Sequence, residues 1–262
     1  MTDQPSILVE HRDGVSTITF NRPAQLNALD PDTVEEFQAV IRRVDLEPST
    51  RAIVLTGAGR AFTAGGDVRS FGSKHDPRVN RRGWHVVHRM LEIEKPIVAM
   101  VNGPAIGLGL VIALLCDCVI MADDATIGDP HVNLGLVAGD GAAVVLPVLI
   151  GPHRAKELLL TGKRITGTEA AAMGMINRAV PASELEAAAY GLARELAAQP
   201  TYAARATKMA VNRYVRWMVE QTLDVSLAYE AISRELPEYP AAVEAWKQRR
   251  ANRGAAADEP QP

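Results

Sequence analysis

Ile97-Val98-Ala99-Met100-Val101-Asn102-Gly103-Pro104-Ala105-Ile106-Gly107-Leu108-Gly109 is the stretch on which the fold turns. Its first five residues are an apolar, partly β-branched run that reads as a strand, and Asn102-Gly103-Pro104 stops it. Gly107-Leu108-Gly109 is a second turn, placed to open a helix. The apolar character continues to Met121, but Asn102, Gly103, Pro104, Gly107, Gly109 and Asp117 interrupt it, which argues against a membrane span. The region reads as buried strand, loop and helix.

Working outward, Arg51 to Thr56 is another β-branched run and ends at Gly57-Ala58-Gly59, while Val119 to Met121 is a third. A helix-compatible segment from about Arg81 to Glu94 lies between the first two, so strands alternate with helices in a layered α/β pattern. Towards the N-terminus, Ile7 to Phe20 alternates apolar and polar residues around Asp13-Gly14, a hairpin signal. Asp30-Pro31 then supplies the cap and first-turn proline of a helix that carries Val34, Phe37, Val40, Ile41 and Val44 on one face and stops at Pro48. After Gly151 the chain reads as almost wholly helical: Pro152 to Thr161, Gly167 to Met173, Ala182 to Ala198 and Tyr202 to about Glu235. The division expected is an α/β core over 1–200 and a helical oligomerisation region over 201–262, with Gly254 to Pro262 frayed.

With 262 residues, 47% hydrophobic and 23% charged, the chain can bury a sizeable core. The net charge of −3, without a dense Lys/Arg block, lacks the footprint of a nucleic-acid or anionic-membrane binder and points to a small-molecule substrate. No secretory signal is visible in the polar start MTDQPS, so a soluble, cytoplasmic protein is expected. Cys116 and Cys118 are too close for an ordinary disulfide and read as core thiols. His85 and His88 have no partner at metal-ligand spacing, His88 sharing a packing face with Trp84, and His11, His75 and His153 fall in turns; no metal site is expected.

Three segments together resemble the enoyl-CoA hydratase/isomerase (crotonase) family: Asn21-Arg22-Pro23 with Leu26-Asn27-Ala28-Leu29; Gly57-Ala58-Gly59-Arg60-Ala61-Phe62-Thr63-Ala64-Gly65-Gly66-Asp67; and Lys95-Pro96-Ile97-Val98-Ala99 running on to Gly109. Leu158-Leu159-Leu160-Thr161-Gly162-Lys163 and Gly174-Met175-Ile176-Asn177 extend the match. Each motif alone is a common glycine turn; their order and spacing carry the resemblance. It implies a spiral of ββα units with C-terminal helices that build homotrimers or dimers of trimers. It also implies a pocket for an acyl-CoA thioester, with coenzyme A as part of the substrate and no separate cofactor.

Attack on, or proton removal beside, a thioester carbonyl puts negative charge on its oxygen. Two preorganised backbone N–H donors stabilise such charge, and losing one donor costs about 3 to 4 kcal/mol. Glycines let backbone come that close. The resemblance implies that these donors are the amides of Ala64 and Leu108. Gly65, Asp67, Trp84, Gly107 and Val111 are read as substrate-binding, Trp84 lining the acyl pocket and Asp67, after Gly65-Gly66, serving as a helix cap rather than a catalyst. Gln25 stands where many members have a lysine, which removes one contact to the CoA phosphates.

The family's two hydratase glutamates are absent: Val111 and His131 occupy their positions, and valine neither accepts nor delivers a proton. His131, in Gly128-Asp129-Pro130-His131, is followed nine residues later by Asp140 in Gly139-Asp140-Gly141. The pair resembles that of β-diketone hydrolases of the superfamily such as 6-oxocamphor hydrolase, whose third acid matches Glu230. A neutral imidazole held by a carboxylate is a competent base, so Asp140 would orient His131 for water activation or proton transfer. The alternative for the pair is structural, with Asp140 as N-cap of the helix that follows and His131 filling the pocket. Three functions are carried forward: an acyl-CoA hydratase or hydrolase, a C–C hydrolase of cyclic β-diketones without CoA, and a non-catalytic binding or assembly subunit.

Overall fold

The computed structural model describes residues 5–67 and 82–257. Strands β1 (Ile7–Arg12) and β2 (Val15–Phe20) form the opening hairpin, and Asp13 and Gly14 between them both have positive φ (52° and 78°), as a tight two-residue turn requires. Next come α1 (Pro31–Leu46), β3 (Ala52–Gly57), α2 (Arg82–Glu92), β4 (Ile97–Val101), the short β5 (Ala105–Ile106), α3 (Leu108–Leu114), β6 (Cys118–Ala122) and β7 (Thr126–Gly128). The remainder is α4 (Ala142–Thr161), β8 (Arg164–Thr166), α5 (Gly167–Ala172), β9 (Arg178–Val180), α6 (Leu185–Ala198), the long α7 (Thr201–Glu235) and α8 (Glu238–Ala257).

Six strands make one sheet in the order β1-β2-β3-β4-β6-β9, parallel throughout except for the first hairpin. Every residue of β3 is buried, as expected of a parallel strand covered on both faces, whereas β1 at the edge is largely exposed. Helix α6 packs across the middle strands, and Ala189, Ala193 and Ala197, one turn apart, let it lie close. A second, three-stranded sheet joins β5, β7 and β8; its strands are only two or three residues long, and the sequence reading did not contain them. They matter because the pairing Ile106↔Gly128 sets the segment after β7 beside the Gly107 turn.

Helix α1 is capped as its sequence requires, with the Asp30 side chain accepting from the Thr33 amide at 2.9 Å. Asp117 has a structural role: it accepts from the Ile97 amide and pairs with Lys208 of α7, both at 2.7 Å. Cys116 is buried, and burial raises its thiol far above the ordinary range. One expectation changes. Gly254 to Ala257 continue α8 as helix rather than fraying, and the rest of that tail lies outside the described residues, as does His75. Among the described residues no helix is long and apolar enough to cross a membrane.

Asn27 ties the N-terminal loop to the first glycine turn. Nearly fully buried and with φ of 56°, it donates through Nδ2 to the carbonyls of Ala61 (2.8 Å), Ala58 (3.0 Å) and Phe62 (3.2 Å). Its Oδ1 accepts from the Arg22 amide at 2.8 Å, and its own carbonyl accepts from the Thr63 hydroxyl at 2.6 Å. Asn27→Ala strands several of these groups, so we expect a loss of about 1–3 kcal/mol, read as a lower urea midpoint at unchanged slope.

Candidate active site

The two glycine turns meet at the head of the main sheet. Thr63 donates to the Pro104 carbonyl (3.0 Å) and Ile106 donates to the Thr63 carbonyl (3.1 Å), so residues 63–66 run alongside residues 104–107 like an added parallel strand. Gly65 has φ of 79°, and a Cβ there would sit 2.2 Å from the Ile106 oxygen and 3.5 Å from the Leu108 nitrogen. Only glycine permits this approach.

The amides of the first turn differ in how they are spent. Ala64 donates to the Leu26 carbonyl at 2.9 Å, so the amide assigned to the oxyanion from the sequence is spent on the framework. Gly65 donates to the Thr63 hydroxyl at 3.1 Å and Asp67 to the Leu29 carbonyl at 3.1 Å. Gly66 lies between them, bridged to Leu29 through its neighbours' groups, and its own N–H has no acceptor among the described residues. The amide of Leu108, first residue of α3, likewise has none, as is usual for the first turn of a helix. Both residues line one cavity of about 1210 Å³. The correction is by two residues: the free amide of this turn is that of Gly66.

His131, Asp140 and Glu230 line the same cavity, although α7, α3 and the segments between are far apart in sequence. The His131 ring lies on the Gly107 turn, with its Cε1 3.5 Å from where a Gly107 Cβ would be. Its Nε2 is 3.8 Å from Asp140 Oδ2, and both side chains are about 15% exposed. Its Nδ1, however, is hydrogen-bonded to Asp129, a residue to which the sequence reading gave no role. Asp129 is the next residue after β7, and the i to i+2 spacing Asp129-Pro130-His131 is the signal that could have flagged it. Helix α4 has Gly141 at its N-cap and no side-chain cap, so the capping alternative for Asp140 does not hold. Asp140 Oδ1 is instead buried without a hydrogen-bond partner.

Burial alone would lower the His131 pKa, but the carboxylates of Asp129 and Asp140 outweigh it and raise the imidazole to about 10. It is therefore a cation at neutral pH, not the neutral base expected from the sequence. Burial, reinforced by the charges of Asp129 and Glu230 and opposed by the His131 cation, raises Asp140 to about 7. Glu230 reaches the cavity wall from α7 and is ion-paired to Arg234 one turn later.

Three residues named from the sequence fall elsewhere or remain partly open. Val111 is fully buried and packs its methyls on Gly141, away from the cavity. Trp84 is stacked on His88 (ring centroids 3.8 Å apart) and does not line the cavity among the described residues, because its ring is committed to its own helix. Asp67 is buried at the cavity edge, and the helix it was expected to cap lies outside the described residues. Aromatic and cationic walls come instead from α8, through Trp246 and Arg249, with Arg60 and Arg164 on other segments. Asp129, His131 and Asp140 lie close enough together to be considered as metal ligands, but one donor, His131 Nδ1, is already occupied by Asp129.

Comparison with known proteins agrees with this architecture. The family model described as "Enoyl-CoA hydratase/isomerase" matches residues 10–243. A short-chain-enoyl-CoA hydratase of Clostridium acetobutylicum is 34% identical over 86% of this chain and 87% of its own length. A 4-chlorobenzoyl coenzyme A dehalogenase of an Arthrobacter species is 36% identical over 75% of this chain and 74% of its own. A crystal structure of an enoyl-CoA hydratase/isomerase from Mycobacterium paratuberculosis superposes with a TM-score of 0.86 at 35% identity, covering 93% of this chain and all of the other. The chain therefore belongs to the enoyl-CoA hydratase/isomerase family and has the crotonase fold of two sheets and C-terminal helices.

Proposed function

We propose that this protein adds water across the double bond of an enoyl-CoA thioester, with the amides of Gly66 and Leu108 holding the thioester oxygen and the Asp140–His131 pair moving the proton. The observation that carries the reading is the unpartnered Asp140 Oδ1, buried at a cavity wall that also presents two free amides. Water attacks the β-carbon of an enoyl thioester while Asp140 takes its proton. The π electrons pass to the thioester oxygen between the two amides, and the enolate then collapses by taking the proton back at the α-carbon. A 3-hydroxyacyl thioester leaves and Asp140 is restored. His131, as a fixed cation, holds Asp140 ionised enough to act as base. The two-glutamate arrangement is thus replaced by one carboxylate and one imidazolium.

A cavity of about 1210 Å³ with Arg60, Arg164 and Arg249 in its walls suits a long, phosphorylated thioester better than a free cyclic diketone. The hydratase named above supports hydration. A second reading, hydrolysis of an activated acyl substrate, draws on the same free carboxylate oxygen and on the dehalogenase relative, whose name describes an aryl thioester as substrate. The non-catalytic alternative gives no reason for a buried carboxylate to lack a partner.

The long helix also supports self-association. Tyr214, Trp217, Val225, Tyr229 and Ile232 of α7 are each at least half exposed, more apolar surface than a monomer ordinarily leaves on one helix. A homotrimer or dimer of trimers is the assembly we propose, and light scattering after gel filtration should give three or six times the mass of 28.2 kDa. A monomer would refute it.

For the chemistry, Asp140→Asn should lower kcat for hydration of short and aromatic enoyl thioesters by roughly 10² to 10⁴-fold, with KM little changed. Because Asp140 must be ionised to act, activity should rise as pH passes through about 7. His131→Gln removes the cation that favours the ionised form, so that limb should move to higher pH. An Asp140→Asn enzyme with wild-type turnover would sink the proposal.

A further inference from the structure

We propose that Asp129 is the positioning residue of this site: its carboxylate grips the Nδ1 side of His131 and so turns the Nε2 edge to Asp140 and the Cε1 edge to the Gly107 turn. The inference rests on the assignment of Asp140 and His131 to proton transfer. The geometry is specific. One oxygen, Asp129 Oδ1, accepts from both the backbone N–H of His131 (3.0 Å) and its ring nitrogen, which fixes the ring relative to its own backbone. The Asp129 side chain is only 1% exposed, and its other oxygen has no hydrogen-bond partner. Among the described residues, His131 is the only group hydrogen-bonded or ion-paired to this carboxylate.

A buried carboxylate is costly unless it is paired, so Asp129 demands a protonated partner as strongly as His131 demands a carboxylate. The backbone fixes both ends of the arrangement. Gly107 donates to the Gly128 carbonyl at 3.0 Å, which sets Asp129 next to the turn that leads into Leu108, and a proline at 130 disfavours helical backbone at the residue before it. The charged groups around His131 are Asp129 after β7, Asp140 before α4, and Glu230 of α7 with its partner Arg234. Helix α8 meets the far end of the His131–Leu134 turn through Glu238 at Gly135 and Tyr239 at Leu136.

The alternative for Asp129 is that it only shapes the turn, by accepting from the amide two residues on. Asp129→Asn separates the two, because asparagine keeps that acceptor and loses the charge. In the full-length protein labelled with ¹⁵N at histidine, the ring signals of His131, identified by their loss in His131→Gln, report its protonation without substrate. We expect His131 in Asp129→Asn to give up its proton at clearly lower pH than in wild type, and kcat to fall on the order of 10²-fold with KM near the wild-type value. An unchanged His131 titration overturns the inference, whether or not turnover falls. Asp129→Ser, which keeps a hydroxyl acceptor, is the second variant if Asn folds poorly. Because the titration needs no substrate, it decides the role of Asp129 even if the wild type proves inactive on thioesters, a result that would count against the proposed reaction alone.

Discussion

Everything at this site depends on one close passage of backbone past backbone. Residues 63–66 lie against residues 104–107 with a glycine at 65, where any side chain would strike the Ile106 oxygen. That contact spends the Thr63 and Ile106 amides on the framework, while the Ala64 amide bonds to Leu26. Among the described residues it leaves the Gly66 and Leu108 N–H groups unspent. Asn27 sustains it from below by collecting three carbonyls of the adjoining loop. The small second sheet then carries the arrangement on, since β5 and β7 place Asp129 and His131 against the same turn.

The electrostatics follow from that placement. Three carboxylates, those of Asp129, Asp140 and Glu230, are brought near one imidazole and one guanidinium in a largely buried space. Like charges so close cannot all be stabilised equally, and burial beside Asp129 and Glu230 raises Asp140, which lines the cavity with one oxygen unpartnered, to about 7. In the proposed reaction this is an asset: a carboxylate that is ionised yet easily protonated can take a proton from water and return it to carbon. In that reaction the role proposed for His131 is charge and orientation rather than basicity.

Much of the framework was legible in the sequence because it rests on local chemistry. The Asp13-Gly14 hairpin, the Asp30 cap, the strand Ile97–Val101 and the long helix from Thr201 to Glu235 each follow from turn residues, caps or periodicity. The convergence of the glycine turns with His131, Asp140 and Glu230 was legible from motif order. What could not be read was orientation. Which amide of Thr63-Ala64-Gly65-Gly66 is free depends on which side each N–H faces, and that is set by Leu26, Leu29 and Pro104, residues distant in sequence. The protonation of His131 was misread because the charge of Asp129, two residues away, had been left out. Val111 is assigned to the pocket by its position along a motif and Trp84 by its helix before Lys95, although each packs within the helical layer.

The proposed chemistry rests on Gly66 and Leu108 acting as a donor pair for a thioester oxygen. It is tested most directly by the infrared difference spectrum of an unreactive, saturated acyl-CoA carrying ¹³C at its thioester carbonyl, recorded bound and free. Two donors aimed at that oxygen weaken the carbonyl bond, so the labelled band should move to clearly lower frequency on binding. A band that stays at its free position in the bound complex would contradict the account.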